Sequence, residues 1–341
     1  MLITGGSGFL SLECVRQALE AGHRVRTTVR SKAKEQTVMD GLAKASCNTS
    51  RLTFVHADLT KDDGWTEAAR DTDVVLHVAS PFPIVQPKDE NDLIRPAVEG
   101  TLRVLKAAAA AASVKRVVIT SSVAAMAYGN PHEPGRVVTE KDWSNPNGAT
   151  ITSYAKSKTL AERAAWDYMA TEEASALELA TVNPVAIFGP ALVLPNESST
   201  CGIIKQMLEG AMPAVPNVRF GAVDVRDVAA LHLLVAATPE AKGKRFIAVA
   251  GESVSLAQIG GILKQGLGAR ASRAPTMTLP DFLVRALSLV MAQLKTVTPE
   301  LGKSKEFSNE LARSIGWKPR SNEESIVSCG QAWIDSGALK V

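Results

Sequence analysis

The sequence predicts an α/β fold in which helices cover both faces of a doubly wound parallel sheet. Three observations lead to this prediction. Short apolar runs alternate with amphipathic stretches along the first half of the chain, the apolar runs are rich in β-branched residues, and polar residues seldom interrupt them. Strands with this pattern are buried on both faces, and strands that alternate with helices build right-handed βαβ units around one parallel sheet.

The individual elements follow from the same pattern. A three-residue apolar run leads into glycines, and Gly22 closes the amphipathic helix that comes next. The alanine run 107–112 has strong helix propensity and extends a long fourth helix. The predicted strands are Leu2–Thr4, Arg24–Val29, Leu52–Ala57, Val74–Val78, Arg116–Ser121, Leu177–Val182 and Phe246–Val249. The predicted helices are Phe9–Ala21, Lys32–Lys44, Asp63–Arg70, Asp89–Ala112, Ser153–Thr171 and Val225–Ala237.

The regular alternation ends near Asn183, after which prolines and glycines cluster as far as Pro216. We therefore expect two domains built from non-contiguous segments. Residues 1–183 and 217–250 would form the sheet domain. Residues 184–216 and 251–341 would form a smaller, mostly helical C-terminal domain that holds a substrate.

Composition excludes several classes of protein. The chain has 341 residues, 45% of them hydrophobic and 21% charged, with a formal net charge of +3. This balance is unlike that of a disordered chain, and the scattered basic residues indicate neither a nucleic-acid nor a membrane surface. Four widely spaced cysteines indicate reduced thiols and no metal site. We find no signal-peptide pattern, and the apolar stretch Leu279–Leu294 is too short and charged to span a bilayer, so we expect a cytoplasmic protein.

A glycine-rich turn lies between the first predicted strand and helix, at Thr4–Ser11. Its first glycine permits a tight turn, its third lets the backbone approach a pyrophosphate, and the helix N-terminus offers free N–H groups. This context predicts a Rossmann-type dinucleotide site, with contacts from Gly5, Gly8, Phe9 and Leu10. Two features depart from the usual pattern. Ser11 replaces a glycine, and the first strand is short, which leaves open a truncated N-terminus or an unusually short central strand.

The second predicted strand ends in a basic segment, without the acidic residue that binds a ribose hydroxyl in NAD enzymes. Arg30 and Lys34 would instead pair with the 2′-phosphate of NADP(H). The alternative for Arg30 is a solvated loop cation. Asp58 and Leu59 follow the third strand and would face the adenine, although Asp58 could also simply cap its turn.

Three sequence features, a tyrosine, a lysine and a run of hydroxyl residues, predict a reaction centre. Tyr154 and Lys158 are one turn apart on one helix face. Thr120, Ser121 and Ser122 end the fifth strand, at the sheet edge where ligands bind in open α/β folds. A tyrosine and lysine at this spacing are common by chance, but the order and placement of the three features favour a functional site.

These features together resemble the extended short-chain dehydrogenases/reductases. Within that group the chain is similar to the branch of dihydroflavonol 4-reductases, cinnamoyl-CoA reductases and NADPH-dependent aldehyde and ketone reductases. Besides the glycine turn and Tyr154-x-x-x-Lys158, the motifs that carry the resemblance are Thr28–Arg30, Ala57–Leu59, His77–Pro81, Val117–Ser122, Asn183–Pro190 and Val223–Val228.

The resemblance implies an NADP-dependent oxidoreductase that transfers a hydride to the carbonyl of an aldehyde or ketone. Tyr154 would donate the proton, Lys158 would lower the pKa of Tyr154 and bind the nicotinamide ribose, and Ser122, preferred over Ser121, would polarise the carbonyl. The remaining residues implied to line the cofactor cleft are Val78, Ala79, Ser80, Pro184 and Val185.

Three other functions stay open. They are a sugar-nucleotide epimerase or dehydratase, a 3β-hydroxysteroid-type dehydrogenase, and a non-catalytic NADP-binding regulator. Ala186 stands where the resembling sugar-nucleotide enzymes have asparagine, which disfavours the first. The substrate would be a small carbonyl compound in a mainly apolar pocket, and the chain a monomer or homodimer. The residues expected in that pocket are Phe82, Pro83, Phe188, Leu192, Leu194 and the Leu279–Leu294 segment.

Overall fold

The predicted alternation of strands and helices is present in the computed structural model, which describes residues 1–80, 89–193, 200–291, 294 and 297–339. The strands are β1 Leu2–Ile3, β2 Val25–Val29, β3 Leu52–His56, β4 Val74–His77, β5 Arg116–Thr120, β6 Val137–Val138, β7 Glu178–Pro184, β8 Ala186–Phe188, β9 Arg219–Phe220, β10 Ala222–Asp224, β11 Arg245–Ala248, β12 Val254–Ser255 and β13 Glu306–Phe307. The helices of the described residues are α1 Phe9–Glu20, α2 Lys32–Lys44, α3 Trp65–Ala69, α4 Asn91–Ala110, α5 Ser153–Met169, α6 Thr200–Glu209, α7 Val225–Ala237, α8 Leu256–Leu267, α9 Asp281–Leu287, α10 Glu310–Ser314 and α11 Asn322–Asp335.

Seven of these strands form one parallel sheet in the order β11-β7-β5-β4-β1-β2-β3. The prediction of a doubly wound parallel sheet is therefore confirmed. The strand order reverses between β1 and β4, and such a switch point opens a crevice at the carboxyl ends of the strands. The central β1 has only two residues, yet both pair with β2 and with β4.

The hydrophobic core lies on both faces of this sheet. Successive residues of β1 point to opposite sides, so Ile3 packs in the cluster under α1 and α7, whereas Leu2 packs in the cluster under α4 and α5. Both residues are completely or almost completely buried. This arrangement explains why the strands are apolar on both faces.

A third hydrophobic cluster joins α6, α8 and α11 to the small strands β8, β9 and β12. Trp333 in α11 anchors it, because its indole N–H donates to the carbonyl of Cys201 in α6 at 2.8 Å. Three short strand pairs lie outside the main sheet: β8 with β10, β9 with β12, and β6 with β13. The division into residues 1–183 and 217–250 against 184–216 and 251–341 stays a prediction.

Candidate active site

The glycine turn has the geometry that only glycine permits. Gly5 has a φ of +72°, and its N–H donates to the Thr28 hydroxyl at 3.0 Å. A Cβ on Gly5 would lie 2.9 Å from Cβ of Ala79, and one on Gly6 would lie 2.3 Å from the Thr27 hydroxyl oxygen. The backbone of β1 therefore turns directly against β2 and the end of β4, and side chains at these two positions would push the strands apart.

The turn delivers the chain to the N-terminus of α1. The N-cap residue, Gly8, has no side chain that could accept from the first-turn N–H groups. Gly8 and the first residues of α1 line a large cleft, so these N–H groups can bind an anion. Ser11, which stands where the usual pattern has glycine, is 3% exposed in the first turn of α1. The turn as built fits a dinucleotide pyrophosphate.

The cleft that begins at this turn has a volume of about 1140 Å³ and runs along the carboxyl ends of the strands. It is large enough for a dinucleotide together with a small substrate. All the site residues expected from the sequence line it, namely Gly5, Gly8, Phe9, Leu10, Arg30, Lys34, Asp58, Leu59, Val78, Ala79, Ser80, Ser122, Tyr154, Lys158, Pro184 and Val185. The tertiary structure thus brings together residues that are spread over 181 positions of the chain.

One end of the cleft is basic. Arg30 is exposed at the end of β2 and, within the described part of the chain, forms no hydrogen bond or ion pair. The nearest acidic side chain in sequence, Glu35, pairs with His56 at 2.7 Å. Asp58 accepts hydrogen bonds from the backbone and hydroxyl of Thr60 at 2.9 and 2.8 Å, which lower its pKa. Asp58 therefore caps its turn as well as lining the cleft.

The other end of the cleft holds the hydroxyl, phenol and ammonium groups. Thr152 caps α5 by accepting from the Ala155 N–H at 3.2 Å, which places Tyr154 and Lys158 on its first two turns. Lys158 Nζ donates to the Ser80 hydroxyl at 3.0 Å. The Ser122 side chain caps a short 3₁₀ turn by accepting from the Ala124 N–H at 3.1 Å.

Burial sets the protonation of this end of the cleft. It raises the pKa of Tyr154, and a hydrogen bond with Ser122 opposes this in part. It also lowers the pKa of Lys158 to about 8, against the opposite influence of Glu162. The expected lowering of the tyrosine pKa by Lys158 is absent, because burial outweighs the other influences on the phenol and the lysine hydrogen-bonds Ser80 instead.

Several cleft residues were not expected from the sequence. Tyr128 lines the cleft beside the reaction centre, and Lys305 lies over its ring with Nζ 4.4 Å from the centroid. Lys305 also pairs with Glu300. Tyr128 lies only six residues beyond Ser122, and this short separation in sequence could have predicted its place in the cleft. The C-terminal residues carry no motif, since they reach the cleft only because β13 pairs with β6.

The apolar substrate pocket was predicted only in part. Leu192 lines the cleft, but Phe188 is fully buried and stacks on Phe220 with centroids 6.2 Å apart, so it packs in the core. No described residue of the Leu279–Leu294 segment lines the cleft, because α9 lies on the surface with Phe282 exposed. The remaining residues expected in the pocket, Phe82, Pro83 and Leu194, lie outside the described residues. So does Pro81, the last residue of the His77–Pro81 motif.

Every helix within the described residues is too short or too polar to cross a membrane.

Comparison with known proteins identifies several that are similar to this chain. Residues 1–251 match the model of the NAD dependent epimerase/dehydratase family. A cinnamoyl-CoA reductase of Medicago truncatula is 36% identical over 248 residues, which cover 72% of this chain and 74% of that protein. A ketoreductase of Aspergillus niger is 33% identical over 302 residues, covering 83% and 87% of the two chains.

A solved structure of a reductase has a fold similar to that of this chain. The structure of yeast methylglyoxal/isovaleraldehyde reductase Gre2, complexed with NADPH, is 25% identical and covers 99% of both chains with a TM-score of 0.81. The resemblance recognised in the sequence is thereby confirmed. The chain belongs to the NAD dependent epimerase/dehydratase family, the extended short-chain dehydrogenases/reductases.

Proposed function

We propose that this protein is an NADPH-dependent reductase that converts an aldehyde or ketone to an alcohol, with Tyr154 as the proton donor. The observation that carries the proposal is the meeting of Ser122, Tyr154 and Lys158 in the same cleft as the glycine turn and Arg30. The names of its relatives, a cinnamoyl-CoA reductase, a ketoreductase and an NADPH-bound aldehyde reductase, support the same reaction class and the same cofactor.

The residues of the cleft fit such a cofactor. The turn at Gly5 and the uncapped N-terminus of α1 would bind the pyrophosphate, and Arg30 with Lys34 would bind the 2′-phosphate. Lys158 would donate to the nicotinamide ribose. Bound NADPH supplies the hydride that reduces the carbonyl carbon.

The chain itself supplies the proton and the orientation of the substrate. Because burial raises its pKa, Tyr154 stays protonated throughout the neutral range and can donate its proton to the carbonyl oxygen as negative charge develops there. The Ser122 hydroxyl, which hydrogen-bonds the phenol, would donate to the same oxygen in place of the phenol once substrate binds. After proton transfer, the phenolate would attract the Lys158 ammonium, which hydrogen-bonds Ser80 before the reaction.

The proposal is tested with NADPH and a panel of aldehydes, β-ketoesters and flavonoid ketones, by following the loss of NADPH absorbance. Tyr154→Phe should lower kcat at least about 100-fold while leaving the NADPH dissociation constant within a few-fold. Tyr168→Phe is the matched control, because Tyr168 lies on the same helix outside the cleft and should keep full activity. Turnover of Tyr154→Phe near the wild-type rate would refute the assignment.

The chief alternative is sugar-nucleotide chemistry, which is known in the same family. Ala186 lines the cleft with a methyl group, and a methyl group cannot hydrogen-bond a diphosphate. We therefore expect no binding of UDP-hexoses. A low-micromolar dissociation constant for a UDP-hexose, measured by calorimetry, would reverse this ranking.

A further inference from the structure

Glu162 is a buried carboxylate that lines the same small cavity as Lys158. It lies in α5 one turn beyond Lys158, and its side chain has no exposed surface. It accepts hydrogen bonds from the Ser121 hydroxyl at 2.5 Å, the Asn183 side-chain N–H at 2.8 Å and the Arg245 Nε–H at 2.6 Å. A carboxylate is buried this deeply only when charge and hydrogen bonds compensate for its lost hydration.

The donors to Glu162 come from the strands that carry the site. Ser121 immediately precedes Ser122 at the end of β5. Asn183 immediately precedes Pro184 in β7, and it also donates to the Ser122 carbonyl at 3.2 Å. The Glu162 carboxylate therefore ties the helix that carries Tyr154 and Lys158 to the strand ends that position Ser122 and Pro184.

Among the described residues, Glu162 is the acidic neighbour of Lys158. The two side chains share the lining of a small cavity of about 20 Å³, together with His77 from β4 and Thr101 from α4. Burial lowers the pKa of His77 to about 3, so that imidazole is neutral. Glu162 is the group that raises the lysine pKa against burial.

The one cation bound to Glu162 in the described structure is Arg245 of β11. Its guanidinium lies 3.9 Å from the centroid of the Trp143 ring and donates to the Glu140 and Asp142 carbonyls at 2.9 and 2.6 Å. Arg245 is thus held by the Trp143 ring and by two backbone carbonyls as well as by the Glu162 carboxylate.

We propose that Glu162 is a positioning residue of the reductase site, which keeps Lys158 in its ammonium form and fixes α5 against the strand ends that hold Ser122. The proposal rests on the proposed function, since it assigns Glu162 a task in that reaction. It does not give Glu162 contact with substrate or cofactor. The carboxylate acts through Lys158 and through the Ser121–Ser122 turn.

The test is the substitution Glu162→Gln, which keeps the shape of the side chain and removes its charge. Without the carboxylate, the Lys158 ammonium loses protons at lower pH. The alkaline fall of kcat/KM should then move about one pH unit lower, which makes the variant about tenfold slower than wild type at alkaline pH. The titration of Lys158 should move by the same amount when followed by NMR in the cofactor-free protein with isotope-labelled lysine, its signal assigned with Lys158→Met.

Arg245→Met is the matched control. It also breaks the buried ion pair, but the Ser121 and Asn183 hydrogen bonds and the Lys158 ammonium still compensate the carboxylate, so the lysine titration should stay in place or move to higher pH. If Glu162→Gln does not fold, the double variant with Arg245→Met removes both charges together and should still show the lower titration.

Three results would overturn the proposal: an unchanged Lys158 titration in folded Glu162→Gln, a downward shift in Arg245→Met as well, or failure of both the single and the double Glu162 variants to fold, which would leave Glu162 a structural role alone. The NMR titration needs no turnover. A wild-type protein that oxidises no NADPH would thus count against the proposed function, while the lysine titration would still decide the role of Glu162.

Discussion

Replacing Arg30 by alanine should remove most of the preference for NADPH over NADH. Arg30 directly follows β2 at the basic end of the cleft, and Lys34 lies in the first turn of the following helix. The Arg30 guanidinium has no hydrogen bond or ion pair to other described residues, so the substitution would remove the proposed contact to the 2′-phosphate and break no hydrogen bond among the described residues.

The size of the effect follows from the exposure of Arg30. A hydrogen bond to a charged group is worth about 1.5–3 kcal/mol, and exposure to water reduces it, so we expect about 1–2 kcal/mol here. The ratio of kcat/KM for NADPH over NADH should then fall about 5- to 30-fold. The values for NADH should hardly change, because NADH has no 2′-phosphate.

The assay compares both cofactors in wild type, Arg30→Ala and the control Arg24→Ala. Arg24 is an exposed arginine just before the opposite end of β2, about 20 Å away by the rise of an extended chain, and it does not line the cleft. Its loss changes the net charge equally and should leave the preference intact. Equal damage to both cofactors in Arg30→Ala would make Arg30 structural, and a wild-type preference for NADH would refute the reasoning altogether.

Two further predictions concern stability. In α8, a Cβ on Gly260 would lie 1.8 Å from the Pro275 carbonyl oxygen, whereas one on Gly261 would meet no atom of the described residues within 4 Å. Urea unfolding should therefore show Gly260→Ala destabilised by about 2–4 kcal/mol and Gly261→Ala stabilised by about 0.5–1 kcal/mol; equal effects would contradict the packing. Burial lowers the pKa of His232 from 6.5 to about 4, so below pH 6.5 the unfolded chain binds a proton that the native chain excludes. The free energy of unfolding should fall between pH 6.5 and 4, by up to about 1.4 kcal/mol per pH unit, and His232→Gln should flatten this slope; an unchanged slope would mean that His232 does not titrate on unfolding.

The sheet could be predicted closely from the sequence because its signals are local. Strands buried on both faces need uninterrupted apolar runs, and these place β2, β4 and β5 to within one residue at each end. The third helix is shorter than expected, Trp65–Ala69 in place of Asp63–Arg70, since Gly64 in the left-handed region ends the preceding turn. The position of a helix end depends on single residues such as Gly64 more than the position of a strand end does.

The surface segment Leu279–Leu294 shows the limit of composition. Its apolar residues favour a pocket wall, but Leu289 and Val290 are 80% and 82% exposed. Apolar character alone does not say which surface a helix faces, because that is settled by the elements packed against it. Phe188 shows the converse, since a residue expected in the pocket is fully buried against Phe220.

The sequence by itself determined the parallel sheet, the glycine turn and the candidate serine, tyrosine and lysine, because each depends on residues close together in the chain. Only the tertiary structure decided what surrounds them. Tyr128 meets Lys305, and Glu162 meets Arg245, across 177 and 83 positions of sequence. No local pattern encodes such contacts, since they arise where β13 and β11 pair with strands from distant parts of the chain.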